Sequence, residues 1–201
     1  LVSTDCNNGV RVLGSAYRAF QSCGNPDLKP EKADTFNVGA ILELGGFSAT
    51  LDYFNFKFKD EITEESGARL YASMFPGGSN VNCGNPAFAQ LQARFTFAGA
   101  CGAANVARLR SFTINGPNTK TSGLEVRAQH DWEGWLDGRW AIGGEATYLI
   151  EYKRGVTNLL GTDIAISPAE DRAGLSDLVN EFFSYSKLRA NAFAAFNRGP
   201  L

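Results

Sequence analysis

The sequence predicts an all-β protein built from about five long antiparallel strands. Apolar and polar residues alternate over runs of roughly ten residues, as in strands with one apolar and one polar face. Short turns alternate with long connections, and aromatic residues cluster near the strand ends. These three observations are typical of a transmembrane β-barrel, whose tilted strands need about 9–11 residues to cross the hydrocarbon. We therefore predict an antiparallel transmembrane β-barrel fragment with short periplasmic turns and long extracellular loops.

Composition argues against several other classes of protein. The 201 residues carry a net charge of -2 with acids and bases interspersed, so no surface for nucleic acid is indicated. The chain contains no apolar run of about 18 residues that would predict a transmembrane helix. It starts without Met or a signal-like segment and ends in a turn-like sequence at 197–201. From both ends we expect a fragment of a longer protein.

The first hairpin is predicted over residues 33–60. Its strands are joined by the glycines at 45–46, a two-residue turn in which both positions tolerate positive φ. After Tyr53 the apolar positions change phase, and we expect a bulge or the exit from the bilayer there. The positions after the change are Phe54, Phe56 and Phe58.

The second hairpin is predicted over residues 118–152, and residues 185–201 form a strand that runs into a periplasmic turn. The polar positions of these strands are expected to face the lumen and to hydrate it. They are Glu125, Arg127, Gln129, Glu145, Glu151, Lys187, Arg189 and Asn191. Aromatic girdles are expected at both membrane interfaces. Their members are Trp132, Trp135 and Trp140 at the short-turn end, and Phe54, Phe56, Phe58, Tyr148 and Tyr152 at the long-loop end.

The long connections at 1–32, 61–117 and 153–184 are predicted to be extracellular loops. Four cysteines allow three connectivities, and pairing within each segment, Cys6 with Cys23 and Cys83 with Cys101, closes the shortest loops. Such disulfides indicate an oxidising compartment, and the close spacing that a zinc site needs is absent. The amphipathic pattern of 170–183 predicts a short helix within the third loop.

Loop residues that mix aromatic rings with cations are the candidates for ligand contact. They are Tyr71, Phe75, Arg94, Phe95, Phe97, Arg108 and Arg110. Such a set suits binding of a ligand by rings and cations, and it equally suits self-packing of a long loop. No enzyme, catalytic residue, metal site or cofactor is predicted, because the single histidine, His130, has no converging partners in the sequence pattern. The acidic pairs at 60–61 and 64–65 are expected to be solvated loop charges.

The stretch from Gly24 to Ala40 carries a family resemblance. Pro26 and Pro30 bias the residues before them away from helix, so the chain enters the first strand in an extended conformation. The motif resembles the N-P-x-L-x-P-E signature of TonB-dependent outer-membrane receptors, and its matching residues are Asn25, Pro26, Leu28, Pro30 and Glu31. Three further blocks match in order, at 52–62, at 118–125 with Gly123 and Glu125 as the G-x-E residues, and at 186–191.

The resemblance implies a barrel of about 22 strands that is plugged by an N-terminal domain. It implies that the lumen residues also contact this plug, and that the loop rings and cations would suit an anionic siderophore or a stacked sugar ring. It implies the outer membrane of a Gram-negative bacterium and import of siderophore, cobalamin, haem or oligosaccharide, energised through TonB. The partners would be outer-membrane lipid, the plug, TonB through the N-terminal region, and a small-molecule cargo. The alternatives are a passive porin-like barrel and a soluble secreted β-sandwich that acts as a binding module.

Overall fold

The computed structural model of the chain describes residues 6–13, 16–177 and 183–198. The strands, in chain order, are β1 (Cys6–Leu13), β2 (Ala16–Cys23), β3 (Lys32–Leu44), β4 (Phe47–Lys59), β5 (Ile62–Glu64), β6 (Phe95–Phe97), β7 (Val106–Asn115), β8 (Thr119–Glu133), β9 (Arg139–Arg154), β10 (Thr157–Asn158), β11 (Ala165–Ser167), β12 (Glu170–Asp171), β13 (Ser176–Asp177), β14 (Phe183–Ser184) and β15 (Leu188–Asn197). The helices are α1 (Gly67–Met74) and α2 (Ala89–Gln92), with 3₁₀ turns at Pro76–Gly78, Pro86–Phe88, Ala103–Asn105 and Trp135–Asp137.

The five long strands form one antiparallel sheet, which we call the wall sheet. Its spatial order is β3-β4-β8-β9-β15, and β12 extends the β15 edge by pairing with the far end of β9. Every pair in this order is antiparallel, and each long strand pairs with the next long strand along the chain. Within the described residues, β3 and β15 are edges without a further long partner. The wall sheet is therefore an open segment of a barrel wall.

One face of the wall sheet is apolar across all five strands. Because cross-strand partners lie on the same face, the register places apolar residues in rows, of which one is Val38, Tyr53, Leu124, Tyr148 and Leu188. The row near the short turns contains Trp132, Trp140 and Phe196. We call this side the apolar face and the opposite side the polar face. Large side chains on the apolar face, such as Val38 at 56% and Leu188 at 60%, are exposed, so this face needs an apolar solvent.

The apolar face ends in an aromatic cluster beside the short turns. Trp132 stacks on His130 and on Trp140 with centroids 5.5 and 6.1 Å apart, and Trp140 lies 4.5 Å from Phe196. Such amphipathic rings favour the boundary between hydrocarbon and water. The structure thus forms the short-turn girdle expected for Trp132 and Trp140, whereas the side chain of Trp135 lies outside the described part of the chain.

The expected girdle at the other end differs in four residues. Tyr152 pairs with Thr121, the partner of Phe56, so it lies on the polar face and the prediction of an outward girdle was wrong for it. β4 pairs with β3 and β8 without any register shift, so no bulge occurs after Tyr53. Phe54, Phe56 and Phe58 therefore lie on the polar face, opposite to Tyr53, and the prediction of an outward girdle was wrong for them. Their apparent phase change marks the height at which the apolar face turns polar, at Asn55 and the lysines beyond it.

A bulge does occur, but between β8 and β9. The partners are Ser122 with Glu151 and then Gly123 with Leu149, so Ile150 is the extra residue on β9. Beyond this point each residue of β9 lies on the face opposite to that predicted by simple alternation. Gly123 accommodates the bulge, because a Cβ there would lie 2.5 Å from the ring of Phe54 and 2.6 Å from the carbonyl oxygen of Tyr148.

We expect Gly123→Val to destabilise the wall sheet by roughly 1–3 kcal/mol, as overpacking does elsewhere. The ring of Phe54 could move, but the carbonyl of Tyr148 belongs to the backbone of the bulge. The free energy of unfolding in lipid measures the effect. Adding Phe54→Ala should recover only part of the loss, since the backbone contact remains. Full recovery would show that the ring alone requires glycine.

The long connections pack into one body, which we call the cap. It is formed by β1, β2, the 61–117 connection and residues 155–177. Strand β7 is its centre and pairs with β2 in parallel and with β5 and β6 antiparallel. The buried core combines residues from all three connections: Phe20, Leu70, Met74, Phe75, Leu91, Phe95, Val106, Leu109, Leu159 and Ile166. The cap is thus a folded unit and not a set of separate loops.

Two elements of the cap differ from the pattern-based expectations. Helix α1 forms because Ser66 caps its N-terminus, with its side chain accepting from the Arg69 N–H at 3.4 Å, and because Leu70 and Met74 turn one face to the core. The prediction of a helix at 170–183 was wrong for the described residues, because these form β12, β13 and β14. Residues 178–182 lie outside the described part of the chain. There Arg172 pairs with Glu170 at 2.6 Å and lies 4.2 Å above the ring of Phe183.

Candidate functional site

The polar face of the wall sheet gathers most of the predicted lumen residues. Glu125 and Arg127 on β8 lie beside Glu145 on β9, and Arg189 and Asn191 follow on β15. With Thr50, Asp52 and Thr147 they line an open groove of about 380 Å³. The Asn191 amide donates to Glu145 Oε1 at 3.4 Å. The groove combines three acids with two arginines, so it offers hydrogen bonds to a polar surface and has no single-sign field.

Three of the predicted lumen residues lie outside this groove. Gln129 shares the polar face but donates to Asp131 Oδ2 at 2.7 Å, nearer the short turn. Because the bulge at Ile150 reverses the direction of the Glu151 side chain, Glu151 lies on the same side of the sheet as Ser122 and Lys120. This side is the continuation of the apolar face. Lys187 precedes β15, and its ammonium lies 5.8 Å from the centroid of Tyr148, a residue of the apolar face.

The proline motif is held where the cap meets the wall sheet. The side chain of Asn25 is buried and accepts from the Asp27 N–H at 3.0 Å, which forms the turn around Pro26. The Asn115 side chain then binds both backbone groups of Lys29, accepting from its N–H at 2.7 Å and donating to its carbonyl at 2.8 Å. Asn115 also donates to the Asp60 carbonyl at 2.8 Å, so it fastens the beginning of β3 to the end of β4.

The rest of the motif is more accessible. Pro26, Pro30 and Glu31 are exposed and Leu28 is half-buried. Gly123, which the resemblance pairs with Glu125, lies under the ring of Phe54 as described above. The motif residues thus hold the junction of the two bodies, and the sequence pattern gave no signal for Asn115, its main partner.

Both cysteine pairs are bonded within their segments. Cys6–Cys23 joins β1 to β2, and Cys83–Cys101 closes the middle of the 61–117 connection against the core of the cap. Cys23 lies immediately before the proline motif, so its bridge holds the entry to β3. All described cysteines are in these two disulfides.

The aromatic candidates for ligand contact pack on one another within the cap. Phe75 is 1% exposed and lies 5.2 Å from Tyr71, 5.5 Å from Phe95 and 6.2 Å from Phe97. Phe95 and Phe97 stack at 6.1 Å. The Tyr71 hydroxyl donates to the Ala103 carbonyl at 3.4 Å. These rings are in self-packing contacts, the second of the two readings of this set.

The cations of the same set divide into two groups. Arg94 is half-buried, with its guanidinium 4.3 Å from the centroid of Phe112 and 3.3 Å from Glu65 Oε1. Arg108 and Arg110 lie exposed on one face of β7, and Arg110 Nε donates to the Gln21 side chain at 3.0 Å. Arg108 and Arg110 are therefore the members of the set that remain available to a ligand at the cap surface.

Glu65 is the buried acid that the sequence pattern assigned to solvent. Its carboxylate accepts from the Leu160 N–H at 2.8 Å, from the Phe112 N–H at 3.0 Å and from Arg94. It thus connects the two ends of the 61–117 connection to the third connection. Burial raises the pKa of Glu65, while the two N–H groups and Arg94 oppose that rise. Burial also lowers the pKa of Arg94, and Glu65 opposes that change.

No helix among the described residues is both long and apolar enough to cross a membrane. No group of three or more His, Cys, Asp or Glu side chains within 6–13, 16–177 and 183–198 is arranged to hold a metal ion.

Long strands with one continuous apolar face and aromatic ends, below a packed cap, define a segment of a membrane β-barrel. The chain belongs to the family of TonB-dependent receptor β-barrels: it matches the family described as TonB dependent receptor-like, beta-barrel, over residues 7–201. This match confirms the family resemblance and the barrel fold class. It also assigns the chain to outer-membrane transporter barrels rather than to soluble sandwiches. Comparison with curated proteins and with solved structures found no match.

Proposed function

We propose that the chain forms five adjacent wall strands and part of the extracellular mouth of an active transporter in a Gram-negative outer membrane. The observation that carries the proposal is the apolar face, which is continuous over five strands and ends in the aromatic cluster of Trp132, Trp140 and Phe196. A lipid environment removes this surface from water, and further strands satisfy the open edges at β3 and β15.

The proposed orientation follows from the connections. The short turns, at 45–46 and 134–138, lie on the periplasmic side, and the cap lies on the extracellular side. The polar face then lines the lumen, and the groove around Glu125, Arg127 and Arg189 contacts the plug. The cap restricts the mouth, and its disulfides and core keep it folded without lipid.

The proposed activity is import of a siderophore, cobalamin, haem or oligosaccharide, energised through TonB. Among the ligand candidates, the exposed pair Arg108 and Arg110 favours an anionic cargo, because their guanidinium groups can bind carboxylate or phosphate bidentately. The packed rings of the cap support its shape and do not contact the cargo.

Uptake by cells that carry the full-length protein tests this function. Radiolabelled ferric siderophore, haem, cobalamin and oligosaccharide are supplied in turn, with and without TonB. We expect one class to be imported only when TonB is present, and Arg108→Ala with Arg110→Ala to lower its affinity. Import that continues at an equal rate without TonB would instead identify a passive porin-like barrel. An unchanged affinity would remove the two arginines from the cargo site.

A further inference from the structure

Three lysines lie side by side just beyond the apolar face. The register of the wall sheet pairs Lys57 on β4 with Lys120 on β8, and Lys120 with Lys153 on β9. Neighbouring strands are about 4.8 Å apart, and paired residues share one face of a sheet. We call Lys57, Lys120 and Lys153 the lysine row. Like charges directly opposite one another destabilise a sheet, so an anion beside this row would stabilise it.

The carboxylates near the lysine row compensate it only in part. Glu151 lies between two members, bridging Lys120 and accepting from Lys153 at 2.8 Å. Within the part of the chain that the structure describes, Lys57 forms no ion pair. Asp34 and Asp171 stand at the two ends of the row, opposite Lys57 and Lys153 in the register. Asp34 pairs with Lys59 at 3.3 Å, and Asp171 accepts from the Tyr152 and Ala173 N–H groups.

The surroundings of the row strengthen the positive charge. Lys32 and Lys59 pair on the same face one row further out. This part of the face therefore carries five lysines, namely Lys32, Lys57, Lys59, Lys120 and Lys153, against the three carboxylates Asp34, Glu151 and Asp171. The Lys120 and Lys153 side chains are 41% and 60% exposed, so their charges are accessible from outside the sheet.

The height of the row relative to the apolar face is the decisive observation. On β8, Lys120 lies twelve residues from Trp132, a member of the aromatic cluster at the short-turn end. A tilted strand needs about 9–11 residues to cross the hydrocarbon. The lysine row is thus just beyond the hydrocarbon, at the level of lipid headgroups.

The row also lines a groove that can hold a headgroup. The groove has a volume of about 540 Å³, and its lining includes Lys57, Lys59, Lys120 and Lys153 together with the acids Glu170 and Asp171. It opens directly above the apolar face, where acyl chains would lie. An acidic protein or a free anion would gain from the charges but would not account for this continuity with an apolar surface.

We propose that the lysine row binds the phosphate-bearing headgroup of an outer-leaflet lipid, whose acyl chains cover the apolar face below. The proposal rests on the orientation given under Proposed function. A bound phosphate neutralises the positive charge of the lysine row that Glu151 does not compensate. It also stabilises the register of β4, β8 and β9. The site is separate from the cargo pathway, because it lies on the outer side of the wall.

Binding of diphosphoryl lipid A to the full-length protein in nonionic detergent tests the proposal. The test variant is Lys57→Gln with Lys153→Gln, which leaves Lys120 to pair with Glu151. The matched control is Arg108→Gln with Arg110→Gln, which removes two exposed cations from the cap. Each cation near an anionic surface contributes roughly a fivefold factor, so we expect affinity to fall about 30-fold in the test variant and to remain unchanged in the control.

Three comparisons make the outcome decisive. Dephosphorylated lipid A should bind weakly to every variant, and equal binding of both lipids would overturn the proposal. Displacement of the lipid by equimolar inorganic phosphate would also overturn it, in favour of a free-anion site. If the double variant folds poorly, the single variant Lys57→Gln replaces it in the test, because it breaks no ion pair among the described residues. Its affinity for diphosphoryl lipid A should fall about fivefold. TonB-dependent uptake should persist in the lysine variants, so a failure of transport is distinguished from a failure of lipid binding.

Discussion

Replacing Glu65 with alanine is expected to destabilise the cap by about 3–5 kcal/mol, the usual cost of removing one partner from a buried ion pair. The substitution leaves the Arg94 guanidinium, whose side chain is 12% exposed, without its carboxylate. It also removes the acceptor of the Phe112 and Leu160 N–H groups. Amide hydrogen exchange of peptides covering 106–115 and 157–167 in the full-length protein reports this local loss.

A surface ion pair provides the matched control. Arg139 and Glu133 are 2.8 Å apart, closer than Arg94 and Glu65, but both side chains are 69% exposed. Because exposed pairs contribute about 0–1 kcal/mol, Glu133→Ala should have little effect. Equal effects of the two substitutions would show that burial of Glu65 does not determine its contribution.

The raised pKa of Glu65 predicts how the stability of the cap changes with pH. Since burial raises the folded-state pKa of Glu65, the folded cap binds its proton more tightly than the unfolded chain does. The contribution of Glu65 to stability is therefore largest in acid and declines as pH rises from about 4.5 through the raised pKa. Glu65→Ala should lack this part of the dependence. Increasing protection of 157–167 from acid to neutral pH, in wild type alone, would contradict the sign.

Replacing Ala128 with arginine is expected to cost about 2–4 kcal/mol of barrel stability in lipid, as for a cation at the bilayer midplane. Ala128 occupies the middle row of the apolar face, beside Ala49 and Gly144. Its side chain points away from the polar face, so the larger residue meets lipid and not protein. Urea titration of the full-length protein in lipid vesicles measures the free energy of unfolding.

The neighbouring residue on the polar face is the control for this substitution. Gln129→Arg adds the same side chain one residue along β8, where alternation places it on the opposite face. The side chain of Gln129 donates to Asp131 Oδ2, at the short-turn end. We expect a loss below about 1 kcal/mol, because the cation remains in a polar environment. A cost equal to that of Ala128→Arg would contradict the assignment of the two faces.

The wall sheet could be predicted from the sequence because each of its strands repeats one simple pattern. Leu124 and Val126 alternate with Glu125 and Arg127, and this period-2 pattern depends only on which face meets lipid. The bulge at Ile150 escaped prediction, since no local residue type requires it. As a result Glu151 was assigned to the wrong side of β9.

The cap was less accessible to pattern analysis, because its contacts join residues far apart in the chain. Glu65 bonds to Leu160, which is 95 residues away, and Asn115 bonds to Lys29, which is 86 residues away. A glutamate or an asparagine in the sequence does not by itself indicate a contact with so distant a residue. A signal did exist for α1, where Ser66 precedes Leu70 and Met74 at helical spacing, but the helix has only eight residues. The mixed set of rings and cations likewise combined core residues with surface ones.

The most direct test of the central claim is the accessibility of nitroxide labels placed one at a time along residues 124–129. Native cysteines described here are all in disulfides, so single introduced cysteines can be labelled in the full-length protein in lipid. If the apolar face meets lipid, collision with oxygen should be high at 124, 126 and 128 and low at 125, 127 and 129. A water-soluble nickel complex should not reach the even positions. Equal accessibility at adjacent residues, or the opposite phase, would contradict a barrel wall with this face outward.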